Sequence, residues 1–252
     1  VKSIKRSLYV IIPILLLFLL QSQLYRLHYF FREDSEISRV IYKTDSLNER
    51  LITRVDTNGQ KLVALTFDDG PDPLYTPAIL EILKNYQLQA TFFVVGENAQ
   101  AYPELLIRMI EAGHEVENHT YTHPDLSRAS HLKIEAEIER NDQVIYKITG
   151  TKAQFFRPPK KLFRRETIAI AEAKGYKTVL WSICVENSRA ATPLKMAKRV
   201  IKSAKPGMII LAHDGRLNRN KTVAALPLII KEYQKLGYRF VTLEELLNHK
   251  AE

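Results

Sequence analysis

Two carboxylates stand side by side at Asp68-Asp69, two residues after the apolar run Leu62-Val63-Ala64-Leu65 and directly before Gly70-Pro71. Two like charges at the end of a buried strand repel, and each needs a cation, a donor or water to persist there. His119 and His123 are four residues apart, so one turn of chain brings both rings to a single ion. With one aspartate they make a two-histidine, one-carboxylate donor set that leaves positions free for water and substrate; it suits Zn²⁺, and Co²⁺ or another divalent ion fits the same donors. One carboxylate suffices as a ligand, which frees the other to act as base on a water activated by the metal. Arg157, in Arg157-Pro158-Pro159, is a counter-charge able to hold that base ionised, and His213, in Leu211-Ala212-His213-Asp214, can deliver a proton to a leaving amine. Singly, each has a plainer reading: two exposed loop histidines, an Asp-Asp-Gly-Pro turn, a stiff Arg-Pro-Pro loop, a structural histidine. The case for a hydrolytic site rests on where they fall together.

That placement depends on the elements between them. β-rich runs at Lys61–Phe67, Ala90–Val95, His114–Glu117, Gln154–Phe156, Tyr176–Trp181, Met208–Ala212 and Tyr238–Val241 alternate with helical stretches. The helices are expected over Pro77–Tyr86, from Asn98 as cap to Gly113, over His131–Ile148, Arg165–Lys174, Pro193–Ala204 with Thr192 as cap, Thr222–Leu236 and Leu243–Leu247. Leu51–Val55, Asn58-Gly59 and Lys61–Phe67 together predict a hairpin. Strands alternating with helices imply parallel β-structure with crossover helices, hence an α/β fold: a distorted (β/α) barrel with fewer than eight regular repeats. An open doubly wound sheet competes, but no glycine-rich phosphate turn follows the first strand. In a barrel the strand ends share one face. Asp68-Asp69, His119 to His123, Arg157-Pro158-Pro159, Cys184 to Asn187 and His213-Asp214 all fall at such ends.

With these motifs in order, the chain resembles the polysaccharide deacetylase family, the NodB-homology domain of carbohydrate esterase family four. The matching residues are Thr66-Phe67-Asp68-Asp69-Gly70-Pro71, Ala90 to Gly96, Gly113 to Val116 with His119-Thr120-Tyr121-Thr122-His123, Phe156 to Pro159, Leu211 to Asp214 and Gly237 to Leu243. The resemblance implies removal of N-acetyl groups from amino-sugar polymers such as peptidoglycan or chitin. It implies Asp68 as general base, Asp69, His119 and His123 as metal ligands, Arg157 orienting the base and His213 as general acid. Leu211 would line the acetyl pocket, and the oxyanion would rest on the metal and on the backbone N–H that follows Pro159, at Lys160. Two motifs depart. Lys160-Lys161 stand where the family has an aromatic residue and glycine, and Cys184-Val185-Glu186-Asn187 replaces an Asp-x-x-Asp whose first member tunes the arginine and the acid. Glu186 is out of register with that position, and Cys184 reads as a small residue at a strand end. The alternative function is therefore a weakly active or inactive member that binds metal and glycan; hydrolysis of a cyclic imide or formamide is a third reading.

The chain has 252 residues, 46% apolar and 26% charged, with net charge +9. The first 32 residues carry five basic side chains and no acid, so the body is only mildly basic. No nucleic-acid module is legible. The single cysteine excludes an intrachain disulfide. Lys2, Lys5 and Arg6 precede an apolar run, Leu8 to Leu20, with no small-x-small cleavage site after it. The expected organisation is a membrane anchor over 1–31, a stalk over 32–54 and the deacetylase domain over 55–248. The domain would lie outside the cell on a single-pass anchor, or be secreted if the anchor is cleaved. A glycan substrate, the membrane and a monomeric state complete the expectation.

Overall fold

The structure, a computed structural model, describes residues 50–187 and 189–249. The expected anchor and residues 32–49 of the expected stalk lie outside them. Among the described residues no helix is long and apolar enough to cross a membrane.

The described strands are β1 (Leu51–Ile52), β2 (Leu62–Asp68), β3 (Thr91–Val94), β4 (Glu115–Asn118), β5 (Phe155–Phe156), β6 (Lys177–Val179), β7 (Ile183–Cys184), β8 (Ile209–His213) and β9 (Arg239–Val241). The helices are α1 (Tyr75–Asn85), α2 (Gly96–Ala101), α3 (Pro103–Glu111), α4 (His131–Thr149), α5 (Arg165–Ala173), α6 (Pro193–Lys202), α7 (Asn220–Lys235) and α8 (Leu243–Asn248). All strands pair in parallel within one curled sheet, in the order β1-β6-β5-β4-β3-β2-β8-β7, and β9 adds to β2. Strand β2 is its hub. Leu62–Ala64 pair with β9, Thr66–Asp68 with β3, and Ala64–Asp68 with β8. All seven of its residues are buried, which is why it reads as a nearly continuous apolar run.

The end strands β1 and β7 do not pair with each other, and the gap between them is bridged by short backbone contacts. Val55 N donates to Gly207 O at 2.9 Å, while Leu180 N to Ile52 O extends the β1–β6 pairing and Ser182 N to Ile209 O the β7–β8 pairing, each at 2.8 Å. The Ser182 hydroxyl donates to Thr53 O at 2.6 Å. The result is a distorted (β/α) barrel with a seam.

Side-chain parity sorts the strands into two cores. Val63, Leu65, Phe67, Phe92, Val94, Ile210 and Ala212 pack outward with Ile79 and Leu83 of α1, Leu106 and Met109 of α3, and Leu226 and Ile229 of α7. Leu62, Ala64, Phe93, Phe155, Val179 and Ile209 fill the barrel, where Leu243 and Leu246 of α8 join Leu62. Complete burial of each such side chain contributes about 1.5–3 kcal/mol. Counting on by twos from these interior residues reaches Asp68, Arg157 and His213, so the parity that fills the barrel also turns the chemical groups inward.

Two local expectations fail. Asn58 (φ 51°) and Gly59 (φ 77°) do reverse the chain, but no hairpin forms, because β1 pairs in parallel with β6. An Asn-Gly turn fixes a reversal; tertiary packing chooses the partner. Asn98 caps nothing: it lies inside α2, and Pro103 starts the separate helix α3 after Tyr102. The caps at Thr192 and at Gly150 (φ 71°) hold, and Ser130 supplies the N-cap of α4 by accepting from Lys133 N at 3.3 Å.

Candidate active site

Strand β2 ends in Asp68, and its register partner across β8 is His213. Asp69 then turns out of the sheet with φ 78°, a conformation uncommon for a residue with a side chain. The Asn98 side-chain amide holds it there, donating to Asp69 O at 2.8 Å. The turn lets successive carboxylates point to different partners. Among the described residues, six of the eight non-glycine residues with positive φ, namely Asp69, Thr120, His123, Lys160, Lys161 and Arg216, sit in the loops at the C-terminal strand ends, so backbone strain collects on the face that holds the candidate site.

Asp68 Oδ1 accepts from Arg157 Nη1 at 2.6 Å. Arg157 is wholly buried and fully engaged: Nε and Nη2 each donate at 3.1 Å, to Val179 O and Leu180 O, Nη1 also donates to Thr66 Oγ1 at 3.0 Å, and the guanidinium lies 3.9 Å over the Phe93 ring. A buried arginine with this many acceptors is fixed in place, and the carboxylate it pairs with is fixed too. The second oxygen, Oδ2, stays on the cavity side, 3.7 Å from His119 Nε2.

Asp69 Oδ1 faces both histidines, at 3.6 Å from His119 Nε2 and 3.0 Å from His123 Nε2. The three residues are buried and their donor atoms lie within 4.8 Å of one another. His119 Nδ1 contacts Arg157 O at 2.7 Å, which orients the ring. Burial alone would raise the Asp69 carboxyl, but its contacts with His119 and His123 hold it well below the usual carboxylate range. Burial lowers His123 despite the neighbouring Asp69, favouring the neutral, metal-ligating ring. Three converging, buried donors of this kind fit a divalent ion, as the sequence predicts.

Arg219, which the sequence shows only as one basic residue near Arg216 and Lys221, is a further participant. Only 7% exposed, it donates through Nη2 to Asp69 Oδ2 at 3.2 Å and through Nε to Gly215 O at 2.7 Å, so the oxygen of Asp69 that faces away from the histidines is clamped. Asp214 is also sealed inside: burial raises its carboxyl to about 7, while Thr76 Oγ1 donates to it at 2.6 Å.

The largest surprise is Glu186. One of its oxygens, Oε1, accepts from Thr222 Oγ1 at 2.7 Å and from His213 N at 3.1 Å. The other, Oε2, lies 3.1 Å from His213 Nδ1 and accepts from Cys184 Sγ at 3.2 Å. Burial would lower His213, but contacts with Cys184 and with the Glu186 carboxylate outweigh it and lift the ring to about 10. Burial would raise Glu186, but the His213 pairing and Thr222 bring it to about 2. A carboxylate thus stands beside His213, two residues along from the place the resemblance gives it. Its clue was parity: residues i and i+2 leave a strand on the same face, and glutamate has one more methylene than aspartate to reach back with.

The remaining candidates line the rim. Pro159 is buried at the start of a 3₁₀ turn, Pro159–Lys161, and Lys160 follows with φ 57°. Leu211, 1% exposed, precedes His213 by two on the interior face of β8. Trp181, half-buried, has the Arg157 guanidinium 5.9 Å and Lys161 Nζ 6.0 Å from its ring. It supplies an aromatic surface beside the loop that lost one.

An ion-binding triad next to an arginine-paired carboxylate, with a charged histidine across the same barrel mouth, is the arrangement of a metal-assisted hydrolase. Comparison with known proteins narrows the class. A family model described as polysaccharide deacetylase matches residues 55–179. A peptidoglycan-N-acetylglucosamine deacetylase of Bacillus cereus is 42% identical over 195 residues, covering 77% of this chain and 91% of that protein. The solved structure of the Bc1960 peptidoglycan N-acetylglucosamine deacetylase superposes with a TM-score of 0.77 at 30% identity, over 82% of this chain and 98% of that one. A carbohydrate esterase family four pseudoenzyme from Bacillus anthracis superposes with a TM-score of 0.73 at 31% identity, over 80% and 70%. The chain belongs to the polysaccharide deacetylase family, carbohydrate esterase family four, whose named deacetylases hydrolyse amide C–N bonds in polysaccharides.

Proposed function

We propose that this protein removes N-acetyl groups from an amino-sugar polymer of the cell wall, with peptidoglycan as the first candidate because the relatives compared above carry that activity in their names. The observation that carries the reading is the division of labour between neighbouring aspartates: Asp68 on Arg157 at 2.6 Å, Asp69 toward His119 and His123. A divalent cation held by Asp69, His119 and His123, with Zn²⁺ the best match to the donors, would supply Lewis-acid activation of water and of the amide carbonyl.

This chain's own groups do the rest. Arg157 and the buried surroundings keep Asp68 in position, and Oδ2 is free to take a proton from the attacking water. The backbone N–H of Lys160, after Pro159, serves as the oxyanion donor in this reading, and Leu211 walls the acetyl methyl. His213, kept protonated by Glu186, gives its proton to the leaving nitrogen, so water and amide become acetate and a free amine. A carboxylate on His213 answers the departure on which the binding-only alternative stood, so a working relay is the better-supported reading.

The apolar run Leu8–Leu20 behind Lys2, Lys5 and Arg6 supports a membrane-anchored domain facing outward, and protease accessibility of the domain in intact cells is the check. The activity is tested by acetate release from N-acetylated peptidoglycan and chitin oligomers. Asp68→Asn should retain Zn²⁺ at Asp69, His119 and His123 and lose about 10²–10⁴-fold in kcat. His119→Ala should lose both the ion of that triad and turnover. Full activity in Asp68→Asn would remove the base assignment.

A further inference from the structure

The cluster behind His213 has a second set of properties. Cys184 Sγ, a Glu186 carboxylate oxygen and a His213 ring nitrogen all lie within 4.8 Å of one another. None of them belongs to the Asp69–His119–His123 triad. Glu186 Oε1 is spoken for by Thr222 Oγ1 and His213 N, which fixes the carboxylate and leaves Oε2 facing the sulfur at 3.2 Å and Nδ1 at 3.1 Å. That is the outer hydrogen bonding by which metal sites orient a monodentate ligand. The His213 Nδ1 atom is sealed from solvent and lacks an aligned hydrogen-bond acceptor, even with Oε2 at ion-pair distance. Ligands at about 2.0–2.3 Å from a tetrahedral ion stand about 3.3–3.8 Å apart, so the observed spacings need to open by only a few tenths of an ångström. All three residues are half-buried, and a cleft of about 430 Å³ lined by Glu186, Asn187, Met196 and Thr222 reaches the glutamate of the cluster.

We propose that Cys184, Glu186 and His213 form a second cation site, selective for a thiophilic divalent ion such as Zn²⁺ or Cd²⁺, and that filling it withdraws His213 from proton transfer. One thiolate, one imidazole and one carboxylate are the ligand types that favour these ions over Mg²⁺ or Ca²⁺. Binding exchanges the Sγ proton and the Nδ1 proton for the ion, while Nε2 keeps its own. The imidazolium that would serve the leaving amine is then gone. The binding half of this inference stands apart from the deacetylase reading; the inhibitory half rests on His213 as acid.

The chain's only thiol is Cys184, so sulfur ligation reports on this site alone. Metal-free full-length protein is titrated with Co²⁺ and with Cd²⁺, following bound equivalents and near-ultraviolet thiolate-to-metal charge-transfer absorption. The wild type should bind two equivalents, one of them with the sulfur absorption. Cys184→Ser should keep one equivalent and lose the absorption, its remaining equivalent showing that it is folded. His123→Ala should keep the absorption and lose the other equivalent. A wild type that binds a single equivalent with no sulfur absorption overturns the site, leaving the cluster as a hydrogen-bonded relay only. Excess Cd²⁺ should inhibit acetate release by the wild type at least ~10-fold more strongly than by Cys184→Ser, each measured against its own uninhibited rate. Equal inhibition overturns the withdrawal of His213. Absence of acetate release at one equivalent counts against the deacetylase reading and leaves the spectroscopic test intact.

Discussion

At the scale of single residues, two charges act through others. Arg219 holds the oxygen of Asp69 that faces away from the histidines, so Arg219→Gln should leave the fold intact and weaken Zn²⁺ binding at the triad by about 10–100-fold in competition with a chelator. Glu186 holds the proton on His213. The ring is lifted to about 10 in part by this carboxylate, so the basic limb of the pH profile of kcat/KM should lie near that value. Removing the negative charge lets the proton leave sooner. Glu186→Gln should therefore move the basic limb to lower pH and reduce kcat at neutral pH, whereas Glu186→Asp should recover part of the shift. Neither arginine clamp nor shifted glutamate was legible as such in the sequence. Arg219 looked like one more basic residue in a loop with Arg216 and Lys221, because nothing in the order of residues says that its guanidinium turns inward onto a carboxylate 150 positions earlier. By contrast Asp68, Asp69, His119, His123, Arg157 and His213 were legible, since each sits at a strand end that hydrophobic patterning reveals.

At the scale of elements, the loop between β4 and α4 carries both histidines, and Asn118 ties it to the helix. Its Oδ1 accepts from Thr120 N at 2.9 Å and from Asn141 Nδ2 at 3.1 Å, and its Nδ2 donates to Ile138 O at 2.9 Å. Asn118 is completely buried, so Asn118→Leu leaves several polar groups unpaired, each costing about 1–3 kcal/mol. The expected result is a marked drop in thermal midpoint together with weaker Zn²⁺ binding, read by calorimetry and chelator competition on the same samples. If metal affinity were unchanged in the folded variant, the loop would not depend on this anchor. Parallel strands and their helices were readable from periodicity, because burial on both faces writes a strand as an apolar run and burial on one face writes a helix as a 3.6-residue stripe. The failed hairpin and the break at Tyr102–Pro103 were not, because each depends on what lies across the fold rather than along the chain.

At the scale of the whole molecule, the barrel starts earlier than residue 55, where the family match begins. Leu51 and Ile52 pair with Thr178 and Val179, and Arg50 bonds Glu172. A chain beginning at residue 55 should thus melt at a lower temperature than one beginning at 49, because the former loses Ile52 O, the acceptor of Leu180 N in the β1–β6 pairing, and Thr53 O, the acceptor of the Ser182 hydroxyl across the seam. Equal melting temperatures would make β1 dispensable. The seam has a further meaning. Its flanking strands β1 and β7 are two residues long, so little of the ladder depends on their register. The stretch that departs most from the family's pattern, Cys184 to Asn187, begins in one of them. Sequence drift is cheapest where the ladder is shortest, and there a charge can migrate by one same-facing step without unseating its neighbours. A lineage can in this way exchange the carboxylate at one rung for sulfur, recover the charge at the next, and acquire a thiol beside its acid while the hub strand and its two aspartates stay as they were.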